Sequence, residues 1–103
     1  MKEILRLDEI DFDTTLKYSD IIEIAEKYIN SLDDSYEIDT QNIKYDLNTD
    51  HYVTDEPVWI VIFIAEKYKK RFLDAYFILA ISDSKKKVVY VQNDHGRVIE
   101  RFC

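Results

Sequence analysis

Glycine and proline are almost missing from this chain of 103 residues, with Gly96 and Pro57 the single representatives. That scarcity excludes glycine-rich phosphate-binding loops, collagen-like segments and long flexible linkers. One cysteine, Cys103, excludes an internal disulfide framework, and its place at the end of the chain argues against a catalytic thiol. The longest apolar run, residues 58–65, is too short to span a bilayer, and the charged start over residues 1–9 holds no stretch apolar enough for a signal peptide. These absences suit a reducing cytoplasm. Positive charge is also in deficit. The net charge of −7 disfavours nucleic acid, whose phosphates need matched Lys and Arg.

The charge is divided unevenly. Residues 1–56 hold 16 acidic and 5 basic side chains, whereas residues 57–103 hold 5 acidic and 9 basic. Asymmetry between halves points to an interaction surface rather than to chemistry. An apolar share of 47% argues against disorder, and the length suits one domain over 1–103 with one core.

The spacing of Ile21, Ile22, Ile24, Ala25, Tyr28, Ile29 and Leu32 predicts a helix over 20–32 with one apolar stripe. Ser19 or Asp20 is the expected cap, with Glu23 three residues after Asp20 as in a capping box. Residues 1–18 show only rough helical spacing at Ile4, Leu5, Leu7 and Ile10. Strands follow. Ile43, Tyr45 and Leu47 alternate with Lys44 and Asp46, and residues 58–65 read as a β-branched, aromatic central strand. Residues 72–82, 86–92 and 98–102 complete a meander, with turns at 83–85 and at 93–96, where Gly96 is expected to supply a positive φ. The expected class is α+β: one main N-terminal helix packed on a curved antiparallel β-meander.

One helix covers one sheet face, yet residues 58–65 are apolar on both. Trp59, Val61, Phe63 and Ala65 point one way, and Val58, Ile60, Ile62 and Ile64 the other. One of the two surfaces is expected to bear Tyr45, Trp59, Tyr76 and Tyr90. Either residues 1–18 or the C-terminal segment cover the second face, or it meets a partner or a second copy.

Chemical motifs are thin. Asp46-Leu47-Asn48-Thr49-Asp50-His51 begins like a calcium loop, but His51 and Pro57 stand where an EF-hand needs Gly and Glu. Asp8, Glu9, Asp11 and Asp13 read as a solvated charge run, because no periodicity gathers them around an ion. Asp94-His95-Gly96 can orient an imidazole, but no nucleophile with a supporting shell accompanies it, and Asp and Gly are ordinary turn formers. The basic clusters at 67–71 and 85–87 read as guards of strand ends rather than a nucleic-acid patch. The acidic set Asp33, Asp34, Glu37, Asp39, Asp46, Asp50, Asp55 and Glu56 either solubilises the chain or steers a basic partner.

Three segments resemble a known layout. Ile21-Ile22-Glu23-Ile24-Ala25-Glu26-Lys27-Tyr28 is similar to an opening helix with an A-x-x-Y signature. Val58-Trp59-Ile60-Val61-Ile62-Phe63 resembles a central W-x-V-x-F strand, and residues 88–98 resemble a closing strand with a G-x-V turn. Small nuclear-transport-factor-2-like immunity proteins and PepSY or cystatin-like domains share this layout. The turn departs from it, with Asp94-His95-Gly96-Arg97 where such families usually carry D-G-K. The resemblance implies a cone-shaped fold and, on the immunity side, neutralisation of a toxin made in the same cell. PepSY-type domains are often exported, which the charged start disfavours.

The sequence therefore reads as a non-catalytic binding protein, an immunity-type inhibitor of a basic toxin domain. No catalytic, cofactor or metal residues are assigned. The expected partner contacts are Asp46, Asp50, Tyr52, Asp55 and Glu56, with Tyr45, Trp59, Tyr76 and Tyr90 as anchors and Trp59 equally suited to the core. The alternatives are a self-associating homodimer and a small-ligand-binding or catalytic member of the nuclear-transport-factor-2-like fold.

Overall fold

The computed structural model describes residues 4–10, 12–32, 36–47, 57–66, 76–94 and 97–102. They form strand β1 (Ile4–Arg6), a 3-10 turn (Leu7–Glu9), helix α1 (Tyr18–Leu32) and strands β2 (Tyr36–Ile38), β3 (Lys44–Asp46), β4 (Val58–Ala65), β5 (Phe77–Ser82), β6 (Lys87–Asn93) and β7 (Val98–Arg101). One α-helix packs against a curved antiparallel sheet of seven strands among the described residues, an α+β layout as the sequence predicts. No helix among them is long and apolar enough to cross a membrane.

The helix begins two residues before its predicted start. Lys17, not Ser19 or Asp20, is the residue at its entrance: the Ile21 N–H donates to the Lys17 carbonyl at 3.1 Å. Asp20 supports the entrance from inside the first turn, where its Oδ2 accepts the Lys17 N–H at 2.9 Å. A carboxylate there satisfies a free backbone donor and complements the helix dipole. The apolar stripe falls as predicted, with Ile21, Ala25 and Ile29 fully buried against the sheet.

β4 lies at the centre of the sheet. Its one side pairs with β5, and its other side is shared by β3 at one end and β2 at the other. β2 and β3 thus form one interrupted strand. Asp39 makes the interruption: its carboxylate accepts the Gln41 N–H at 3.1 Å and the Asn42 side-chain amide at 2.8 Å, turning the chain away before Lys44 rejoins opposite Ile60. The rough helical spacing at the N-terminus proves to be a strand over Ile4–Arg6 followed by a 3-10 turn over Leu7–Glu9. Leu5 pairs with Tyr45 and β1 extends the sheet beyond β3. So few apolar residues near a chain start satisfy either period, and the unpaired edge of β3 decides for pairing.

The two sheet faces are unequal. Tyr45, Trp59, Val61, Phe63, Phe77, Leu79, Ile81, Val88 and Val91 face the helix and form the main core. Burying a side chain such as Phe63 contributes about 1.5–3 kcal/mol. Ile10, Leu16 and Phe102 join this same core on the helix side, whereas Val98 of the C-terminal segment packs on the second face. The far face carries a smaller cluster of Val58, Ala80, Val89 and Tyr90, with Ile60 and Val98 against it. A register shift between Ala80 and Ile81 leaves Val89 as an extra residue of β6, so Val89 and Tyr90 face the same way.

The four aromatics expected on one surface divide two and two. Tyr45 and Trp59 pair in register and stack on the helix side, with ring centroids 4.6 Å apart. Tyr90 opposes Ala80 on the far face, and Tyr76, next to the core residue Phe77, turns the same way. Strand alternation, once the register is known, allows no other arrangement.

Candidate functional site

The far face bears a groove of about 760 Å³ where β2, β4 and β5 meet. Its walls follow from strand alternation. Glu37 opposes Ile64 in register, and the Asp39 N–H donates to the Ile62 carbonyl at 2.9 Å. Residues two apart share a face, so Glu37 and Asp39 stand in a row beside the Ile62 and Ile64 floor. Tyr76 closes the groove from the β5 side and is 38% exposed.

The groove combines an apolar floor with two carboxylates and a phenol. Asp39 is held below the usual carboxylate range, chiefly by the hydrogen bond from the Asn42 side chain. Burial opposes the shift, and the Gln41 and Asn42 backbone N–H groups add to it. It is therefore ionised at neutral pH. Neither Glu37 nor Asp39 forms an ion pair among the described residues. Such a surface suits a side chain with an aliphatic stem and a cationic head.

A groove of opposite sign lies on the helix side. Ile24, Tyr28, Val88 and Phe102 line about 600 Å³ together with Lys27, Lys86 and Lys87.

No family model matches the chain, and neither a characterised protein nor a solved structure is significantly similar to it.

The predicted contact residues are dispersed. Tyr76 reaches the groove, whereas Tyr45 and Trp59 are buried in the main core, the latter at 2% exposure. Asp46 and Tyr90 lie buried toward the other end of the far face. Burial, and then the nearby Asp46 charge, push the Tyr90 hydroxyl above its ordinary pKa. Asp50, Tyr52, Asp55 and Glu56 lie outside the described residues, as do His51, His95, Gly96, Cys103 and the basic cluster at 67–71. Among the described residues no group of three His, Cys, Asp or Glu is placed to hold a metal ion.

In the sequence Glu37 and Asp39 belong only to a general acidic set, and nothing there marks Ile62 and Ile64 as site residues. A Glu-Ile-Asp triplet, with both acids at one parity, was the available signal. It carries meaning only once β2 is known to pair with β4.

Proposed function

We propose that the protein is a non-catalytic binding domain: an immunity-type inhibitor that occupies and neutralises a basic toxin domain in the cytoplasm of the cell that makes both. The observation that carries this reading is the far-face groove, where Glu37 and Asp39 stand without ion pairs among the described residues, beside the Ile62 and Ile64 floor. A basic side chain docked there exchanges two hydrated charges for charge-assisted hydrogen bonds and buries its stem. The acidic first half of the chain adds a long-range field that speeds the encounter.

The test is co-expression with the C-terminal domain of a large secreted protein encoded beside this chain's gene, followed by co-purification and a toxicity assay. A stoichiometric, salt-sensitive complex that abolishes toxicity supports the reading. Turnover of a substrate by the purified chain overturns it. Self-association is the second reading, favoured by the half-buried Ile60, Ile62, Ile64 and Ile78 on the far face. Light scattering over a range of concentrations separates the two, because a monomer at all concentrations removes the homodimer.

A further inference from the structure

We propose that the partner adds an extended basic segment as a strand along the outer edge of β2, setting alternate Arg or Lys side chains into the groove. This deepens the reading above and rests on it.

The backbone of β2 is oriented for such an addition. The Asp39 N–H donates to the Ile62 carbonyl at 2.9 Å, so Asp39 and, two residues earlier, Glu37 direct their peptide groups toward β4. Antiparallel alternation then turns the N–H and C=O of Tyr36 and Ile38 outward. Among the described residues β2 pairs with β4 alone, so no described strand takes up that outer edge. An added strand would lie one strand spacing from β2, about 4.8 Å away. Its groove-facing side chains would emerge beside Glu37 and Asp39. An Arg or Lys stem is long enough to cross β2 and set its head between those carboxylates and Ile62 or Ile64.

Charge selects the occupant. An edge with a carboxylate at its centre repels acidic strands and leaves a buried charge unpaired beside a neutral one. A strand with Arg or Lys at alternate positions meets both carboxylates in register. The edge is three residues long, so backbone bonds alone hold little, and the side chains must supply the rest of the affinity.

The test uses the full-length protein and a capped synthetic peptide alternating Arg and Val. Two control peptides are titrated alongside, one with N-methyl groups on alternate residues to block strand pairing and one with Gln for Arg. The Arg peptide should bind saturably and protect the Tyr36 and Ile38 amides from hydrogen exchange. Affinity should fall about tenfold or more for either control, and by a similar factor for Glu37→Lys, whose substituted side chain is exposed and outside the core. Equal affinity for the N-methylated peptide, with Tyr36 and Ile38 still exchanging freely, overturns strand addition and leaves the basic-partner reading standing. No saturable binding of the Arg peptide also overturns strand addition, and the co-purification experiment then judges the partner reading separately.

Discussion

The indole N–H of Trp59 donates to Asp83 Oδ1 at 2.9 Å, joining the centre of the sheet to the turn between β5 and β6. The same carboxylate accepts the Leu16 N–H at Oδ1 and the Thr15 N–H at Oδ2, each at 2.9 Å. One buried side chain thus fastens the segment before α1, the β4 core and the β5–β6 turn. Asp83 is only 8% exposed, and hydrogen bonds to a buried carboxylate contribute more than those between neutral groups.

Asp83→Ala should therefore lower unfolding stability by about 2–4 kcal/mol, because three donors lose their acceptor. Trp59→Phe should cost less, about 1–3 kcal/mol, since it removes one donor and part of a ring. Urea denaturation of both single variants and the double variant measures the coupling. Strict additivity would mean that the indole bond contributes nothing.

Stability should fall at both ends of the pH scale. Burial raises the Asp83 carboxyl, but the bonds from Trp59, Leu16 and Thr15 outweigh it and hold the group below its ordinary value. A carboxyl lowered on folding stabilises fully above its unfolded pKa of about 3.9, and that contribution is lost as pH falls through the folded value. Asp83→Asn should flatten the acid limb of the urea midpoint between neutral pH and about 3. For Tyr90 and Tyr45 burial acts first, with the charges of Asp46 and Asp83 adding, and both hydroxyls are raised. Their contribution is complete below about 10 and declines as pH climbs toward the folded values, a decline that Tyr90→Phe should reduce. Parallel profiles for variant and parent would refute either assignment.

Lys86 carries a backbone φ of 58° at the end of the β5–β6 turn, where its N–H donates to the Ser82 carbonyl at 2.9 Å. A left-handed lysine costs about 1 kcal/mol that glycine avoids. Lys86→Gly should be stabilising by up to about 1 kcal/mol, whereas Lys86→Val, branched at Cβ, should destabilise by at least about as much. Thermal melts of the pair decide it, and a more stable valine variant would be the wrong order.

The helix stripe makes a graded prediction. Ile29→Ala removes a fully buried side chain and should cost about 2–5 kcal/mol, while Lys27→Ala on the exposed side should change stability by less than about 0.5 kcal/mol. Chemical denaturation of both variants, with equal slopes, checks the difference.

Much of the scaffold was legible in the residues. The 3.6-residue period of Ile21, Ala25 and Ile29 and the apolar run at 58–65 are local signals, and local signals set helix and strand identity. The turn after Ser82 was legible for the same reason. The left-handed Lys86, held by the Ser82 carbonyl, was not legible, because a lysine gives no local sign of it; the positive φ expected at Gly96 lies outside the described residues.

By itself the sequence determined the class of the fold, its single helical stripe and the uneven distribution of charge, because these depend on neighbours in the chain. Only the tertiary structure decided that Trp59 serves the core through Asp83 and that Tyr76 stands beside Glu37 and Asp39. Those relationships join residues far apart in the chain. They hinge on strand register, and a shift of one residue would exchange every inward side chain for an outward one.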